Sequence, residues 1–164
     1  MKSFMIVLAL TLFSASLATA AGSSSINSTT SKYIEMYNDG VKLMMDKKFS
    51  KAEKQFRKVL ALNESLAEAH NNLAYTLRKQ GPDYYEEALA HYNRSIELKP
   101  DLDEPFMYRG VLYVQMGNKN MAMADHKTLV ERKSPLASEL QYVVENGREK
   151  EPDQFFGVSR QIDT

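Results

Sequence analysis

The fold is decided by the stretch from residue 71 to residue 100, which reads NNLAYTLRKQ GPDYYEEALA HYNRSIELKP. Its first part keeps apolar residues on one helical face around a small residue, Ala74. Gly81 interrupts this pattern, and a second apolar helical face follows around Ala88. The stretch therefore predicts two antiparallel helices joined by a short turn, with small residues where their backbones approach.

The same pattern occurs three times along the chain. The residues that open the second helix of each copy lie 36 and 34 positions apart: Ala52, Ala88 and Ala122. Small residues in the first helices lie 34 and 36 positions apart: Gly40, Ala74 and Gly110. A seventh helix is predicted to start near Leu136, after Ser134-Pro135, and to stop at Gly147. Because stacked repeats bury their apolar faces only against neighbours, this last helix is expected to cap the stack.

Local signals suggest where some of these helices begin. Ser50 with Glu53, and Ser65 with Glu68, have the spacing of capping boxes, in which a hydroxyl and a carboxylate satisfy backbone N–H groups at a helix start. Asp101 can cap the first helix of the third copy. We therefore predict side-chain caps at these three positions.

The repeated residues resemble the tetratricopeptide repeat family. The middle copy matches that family's pattern closely, with Asn72-Leu73-Ala74-Tyr75-Thr76-Leu77, Gly81, Glu87-Ala88, Tyr92 and Leu98-Lys99-Pro100. The third copy matches from Tyr108-Arg109-Gly110-Val111-Leu112-Tyr113 through Gly117 and Ala122, but His126 replaces the usual aromatic residue. The first copy is weaker, since Asp39 stands where leucine is common.

This resemblance covers residues 31–135 and implies an all-α fold, a right-handed superhelix of three helix pairs and a capping helix. The expected domain, 32–147, divides into repeats at about 32–66, 67–102 and 103–135 and a capping helix at 136–147. Members of the family mostly bind peptides or partner proteins in a concave groove lined chiefly by the first helix of each pair.

The resemblance assigns ten residues to a partner-binding groove. They are Tyr37, Val41, Met44, Met45, Asn71, Tyr75, Arg78, Met107, Val111 and Val114. Exposed, flexible methionines there would suit adaptable apolar binding, and Asn71 would pair with a ligand's backbone. In the alternative interpretation, several of these residues contact the N-terminal segment or the capping helix instead.

Some family members clamp a C-terminal carboxylate with lysine, asparagine and other basic side chains. In this chain Tyr37 and Val41 occupy the first-repeat positions of that clamp, and Glu104 and Tyr108 the third-repeat positions. Only Asn72 of the second repeat remains. We therefore do not expect a clamp of this kind.

Composition excludes several other functions. With 21 basic and 21 acidic residues, the chain has no net charge to attract nucleic acid. Zero Cys excludes disulfides and thiolate metal sites. The three histidines, His70, His91 and His126, include no His-x-x-x-His pair, and no phosphate loop or cluster of catalytic carboxylates is present. We therefore expect no enzyme activity, cofactor, metal or small-molecule substrate.

A basic stretch crosses the first turn and the second helix. It comprises Lys47, Lys48, Lys51, Lys54, Arg57 and Lys58. A solvated outer face explains it most simply, and a docking site for an acidic partner or membrane surface is the alternative.

Residues 1–20 have the features of an export signal. Lys2 precedes an apolar run from Phe4 to Phe13, and Ala18-Thr19-Ala20 fits the small-x-small pattern of a cleavage site. The apolar run is shorter than the roughly 20 residues of a transmembrane helix, so membrane attachment is expected only if the signal is uncleaved. We expect export to a bacterial periplasm or secretion, with a flexible Ser/Thr-rich lead at 21–31.

The C-terminal tail, residues 148–164, leaves three interpretations open. Phe155-Phe156-Gly157-Val158 folds back on the capping helix, acts as a recognition motif for a partner, or belongs to a disordered end. The sequence as a whole predicts an exported, non-enzymatic adaptor that binds a protein or peptide in its groove. The alternative is a self-associating, homo-oligomeric or envelope-anchored structural component.

Overall fold

A computed structural model of the chain describes residues 22–150 and 161–162, so the predicted export signal and the Phe155–Val158 motif lie outside the described residues. These ranges contain helices and no strand. The helices are α1 (Gly22–Met45), α2 (Phe49–Leu62), α3 (Ala67–Gln80), a 3₁₀ helix (Pro82–Tyr84), α4 (Tyr85–Leu98), α5 (Glu104–Gln115), α6 (Lys119–Glu131) and α7 (Leu136–Asn146). None of these helices is both long and apolar enough to cross a membrane.

The helices pack as successive pairs. Within the described part of the chain, α1 packs on α2, α3 on α4 and α5 on α6, and the pairs are joined through α2–α3 and α4–α5 contacts. The first helices of the pairs also touch one another, α1 with α3 and α3 with α5, while α7 packs against both α5 and α6. The predicted all-α solenoid is confirmed.

The small repeated residues explain why the helices approach so closely. Ala52, Ala88 and Ala122 have no solvent exposure. A Cβ atom added at Gly40 would lie 2.8 Å from the ring of Phe56 on the paired helix, closer than packed carbon atoms tolerate. The first repeat therefore needs a small residue at position 40, where α1 meets α2.

The N-terminal lead differs from the expectation. We expect a flexible segment at 21–31, but α1 begins at Gly22 and runs unbroken to Met45. Ser and Thr cost only about 0.5 kcal/mol per residue in a helix relative to Ala, so their presence is a weak signal against helix. Once the apolar part of α1 is packed, propagation of the helix toward the N-terminus requires no new nucleation.

The predicted capping boxes are wrong. Helix α2 begins at Phe49, so Ser50 lies inside it and cannot cap it. Before α3, the backbone N–H of Ser65 donates to Asn63 Oδ1 at 3.1 Å, and no side chain caps the helix. A local turn formed by the asparagine side chain replaces the box.

The Asp101 cap is also wrong, because α5 begins at Glu104 without a side-chain cap. One serine does bond to the backbone at a helix start in the described part of the chain. Ser134 Oγ accepts a hydrogen bond from the backbone N–H of Leu136 at 3.3 Å, at the start of α7.

The first turn uses a lysine where the third uses a glycine. Lys47 has a positive φ of 57°, and Gly117 has a φ of 79° at the equivalent place. At the first turn, the Lys47 N–H donates to Met44 O, and the Lys48 N–H donates to Leu43 O. This pair of hydrogen bonds is the Schellman ending, which favours glycine at the left-handed position.

We expect Lys47→Gly to raise the free energy of unfolding by about 0.5–1 kcal/mol. The left-handed conformation costs a non-glycine residue about 1 kcal/mol, and the larger backbone entropy of glycine in the unfolded chain offsets part of the gain. Urea unfolding followed by circular dichroism measures the change. Lys48→Gly is the matched control: Lys48 has a φ of −86°, so this change should be destabilising. A Lys47→Gly protein less stable than wild type would contradict the explanation.

Candidate functional site

The ten predicted groove residues form three rows across the first helices. Each row takes one residue from α1, one from α3 and one from α5, in the same repeat register. The rows are Tyr37–Asn71–Met107, Val41–Tyr75–Val111 and Met44–Arg78–Val114, with Met45 beside the last. We call this surface of α1, α3 and α5 the concave face.

Most of the concave face is covered. Eight of the ten residues are 2% exposed or less, whereas Val114 is half-buried and Met45 is 54% exposed. The expectation of exposed methionines therefore holds for Met45 but not for Met44 or Met107. These two side chains are part of the same apolar cluster that holds the helices together.

Arg78 is the main charge on this face, and its side chain has no solvent exposure. Its guanidinium donates two hydrogen bonds to the Glu149 carboxylate, from Nη1 to Oε2 at 2.9 Å and from Nη2 to Oε1 at 3.0 Å. Nη1 also donates to Gln115 Oε1 at 3.3 Å. The group lies 5.1 Å from the ring centre of Tyr75 and 5.7 Å from that of Tyr108. This geometry combines a bidentate ion pair with cation–π contacts.

The pKa values of the pair show how strongly each charge depends on the other. Burial alone would lower the pKa of Arg78, but the Glu149 carboxylate raises it above its ordinary value. Burial alone would raise the pKa of Glu149, but Arg78, helped by Lys79, brings it below its ordinary value. Lys79 Nζ lies 3.5 Å from Glu149 Oε2. Both partners are therefore charged at neutral pH.

A second contact on the concave face involves main chain. Asn38 Nδ2 donates to the carbonyl oxygen of Ile162 at 3.0 Å, and Asn38 Oδ1 accepts from the Ile162 N–H at 2.9 Å. Ile162 also packs against the apolar core. One amide side chain thus pairs with both polar groups of a single residue, as it would with an extended peptide.

Two further asparagines lie on α3 near this face. Asn72 Nδ2 donates to the Tyr37 hydroxyl at 2.9 Å, joining the first and second repeats. Burial raises the pKa of Tyr37, so its phenol stays neutral. Asn71 donates to Asn72 Oδ1 at 3.3 Å, while its own Oδ1 is buried without a hydrogen-bond partner. Asn71 is the residue we expect to pair with a ligand's backbone, and its oxygen retains the capacity to accept such a bond.

Sequence reasoning missed three residues of the site: Asn38, Glu149 and Ile162. Asn38 could have been found, because it lies 34 positions before Asn72 and so repeats an amide in the same register. No periodic pattern points to Glu149 or Ile162, which follow the last repeat.

The basic stretch lies elsewhere, around the first turn and α2. All six of its residues are exposed. Arg57 is paired with Glu53 at 2.8 Å and with Glu87 of α4 at 2.7 Å. Arg57 therefore makes one surface ion pair within α2 and one that joins the first repeat to the second.

The histidines are buried or half-buried, and two of them meet. His70 Nδ1 and His91 Nδ1 are 2.8 Å apart, and His70 Nε2 lies 3.0 Å from the carbonyl oxygen of Glu64. Within the described ranges, no three His, Asp or Glu side chains are placed to hold a metal ion. The histidine contact links α3 to α4 within the second repeat.

The fold defines a class of protein: an all-α solenoid of helix hairpins that ends in a C-terminal helix packed against the last pair. Residues 84–117 match the family model described as TPR repeat. This stretch therefore matches a tetratricopeptide repeat, and the described chain has the helix-hairpin fold that the sequence predicts. Proteins of this kind generally act in protein–protein interaction rather than in catalysis.

Solved structures share the fold. The Arabidopsis OM64 TPR domain superposes with a TM-score of 0.65 at 16% identity, over 73% of this chain and 99% of that one. A chain of the CopN-Scc3 complex superposes with a TM-score of 0.61 at 19% identity, over 82% of this chain and 79% of that one. No curated protein matches the sequence.

Proposed function

We propose that the protein is an exported, non-enzymatic adaptor that binds a segment of a partner protein on its concave face. The observation that carries this proposal is the contact of Asn38 with the main chain of Ile162. An amide that pairs with the N–H and C=O of one residue recognises extended chain whatever its sequence, and side-chain contacts nearby then supply selectivity.

The charge on this face supports the same conclusion. Arg78 offers two parallel donors to one carboxylate, and Lys79 adds a second positive charge. A planar guanidinium in contact with two aromatic rings is preorganised, so little rotamer entropy is lost on binding. The concave face therefore suits an extended segment with an acidic side chain. In the CopN-Scc3 complex, a chain with this fold is part of a protein assembly.

Export to a periplasm or to the exterior is part of the proposal, and it rests on the signal-like features of residues 1–20. An exported chain without Cys has no disulfides, so the packing of repeats must hold the concave face in shape.

Photo-crosslinking in the native cell tests whether the concave face binds a partner. We expect a photoreactive amino acid at Met45, which is 54% exposed on the concave face, to give a crosslinked protein adduct. The matched control is Met123, which is 47% exposed on α6, the second helix of the third pair. Adducts from position 123 and none from position 45 would refute the proposal. The same full-length protein is used in both cases, and mass spectrometry identifies the adduct.

A further inference from the structure

The concave face is contacted at two separate points by residues that follow the capping helix. Glu149 sits between Arg78 and Lys79 of α3, and Ile162 pairs with Asn38 of α1. The two contacts join residues 71 and 124 positions apart in the chain. Arg78 lies on α3 and Asn38 lies on α1, so the two contacts are on different inner helices of the solenoid.

The chain is long enough to reach both points. The inner helices α1, α3 and α5 are neighbours, and packed helices lie about 8–10 Å apart, so the face is about 20 Å across. The thirteen positions from Glu149 to Ile162 span up to about 40 Å when extended. The number of residues between the two anchors therefore allows both contacts to form in one molecule.

Each anchor supplies hydrogen-bond partners to one polar side chain of the concave face. Arg78 has no solvent exposure, and Glu149 supplies the carboxylate that compensates its buried charge. At the other end, Asn38 uses both polar atoms of its amide on Ile162. Glu149 thus provides an acidic group, and Ile162 provides an apolar residue whose main-chain N–H and C=O are hydrogen-bonded by Asn38. These are the features proposed above for a bound partner segment.

We propose that the C-terminal tail, anchored by Glu149 and Ile162, is an internal ligand that a partner must displace from the concave face. This inference rests on the proposed function and makes it more specific. The partner segment is extended, carries a carboxylate for Arg78, and presents the main chain of an apolar residue to Asn38. While the tail is bound, the apparent affinity for the partner is reduced by the fraction of molecules that are closed.

Binding of the tail peptide in trans tests the inference on the full-length chain. The probe is a fluorescent peptide of residues 148–164, and anisotropy gives its Kd. We expect Glu149→Arg to bind the peptide at least about tenfold more tightly than wild type, because the substitution releases the chain's own tail from Arg78 while the peptide keeps its glutamate. Glu145→Arg, which makes the same charge change on the exposed side of α7, should bind as wild type does. Equal Kd values for wild type and Glu149→Arg would overturn the inference.

A distance measurement detects tail release without any ligand. Because the chain has no Cys, spin labels can be attached specifically at Glu35→Cys on α1 and Gln161→Cys in the tail. We expect one narrow distance distribution in the otherwise wild-type chain and a broader, longer one with Glu149→Arg. Asn38→Ala removes the other anchor without changing charge and should also broaden the distance distribution. This variant replaces Glu149→Arg in the test if Glu149→Arg folds poorly. Distributions that stay narrow in both variants would contradict tail release.

The outcomes separate this inference from the proposed function. Tight peptide binding by Glu149→Arg without a crosslinked partner at Met45 would support the internal ligand and count against the adaptor function. A partner crosslinked at Met45 with equal peptide affinities would support the adaptor and refute the internal ligand.

Discussion

Gly110→Val is expected to lower the free energy of unfolding by about 3 kcal/mol, the upper part of the range for overpacked cores. A Cβ atom at this position would lie 2.5 Å from Leu140 Cδ2 and 2.7 Å from Leu140 Cδ1. Leu140 is fully buried at the contact between α5 and α7, so its side chain has little room to move. The better helix propensity of valine recovers only a few tenths of a kcal/mol. Urea unfolding of the full-length chain measures the loss.

A double-mutant cycle shows whether the steric contact causes this loss. Leu140→Ala alone removes a buried leucine and should cost about 2–5 kcal/mol. In Gly110→Val/Leu140→Ala, the valine enters the space vacated by leucine. The double variant should therefore lose less free energy of unfolding than the two single variants lose together. Strict additivity would mean that the loss at Gly110 does not arise from contact with the capping helix.

Lowering the pH from 7 to 5 is expected to remove about 2 kcal/mol of stability through His91. Burial, followed by the nearby His70, lowers the pKa of His91 from 6.5 to about 4. His91 therefore becomes protonated near pH 6.5 in the unfolded chain but only near pH 4 in the folded chain. Above pH 6.5, His91 is mostly neutral in both the folded and the unfolded chain and costs no stability. As the pH falls from 6.5 to about 4, protonation favours the unfolded chain, and the free energy of unfolding decreases.

The hydrogen-bond geometry explains the direction. The Glu64 carbonyl can only accept, so His70 Nε2 carries the proton and His70 Nδ1 is left as an acceptor for the N–H of His91. Protonation of His70 at Nδ1 would place two donors face to face, and burial lowers the pKa of His70 as well. Glu87, whose Oε1 is 4.0 Å from His91 Nε2, opposes the shift without reversing it, while Arg57 reinforces it.

His91→Gln provides the control for the pH effect, because glutamine keeps a donor but does not titrate in this range. Its free energy of unfolding should vary between pH 7 and pH 5 by much less than that of wild type. Thermal or urea unfolding at several pH values measures both proteins. An identical pH dependence in the two would show that other groups cause the loss.

The repeated part of the fold could be predicted because its signals are local and periodic. Ala52, Ala88 and Ala122 are each fully buried at the same point of a helix pair, as their spacing indicates. The helix boundaries were less predictable. Before α3, Asn63 accepts a hydrogen bond from the Ser65 N–H, and no side chain caps the helix, because short polar side chains also bond to nearby backbone outside helices. Helix α1 extends to Gly22 because Ser and Thr oppose a helix only weakly and propagation from the packed part needs no new nucleation.

The sequence by itself determined the three helix pairs and the capping helix, since apolar periodicity records which side of a helix is buried. Only the tertiary structure decided what lies against the concave face. The Arg78–Glu149 and Asn38–Ile162 contacts join residues 71 and 124 positions apart. A single arginine or asparagine shows that a partner is needed but not where in the chain it lies, because hydrogen bonds and ion pairs are fixed by proximity in space and leave no periodic trace in the sequence.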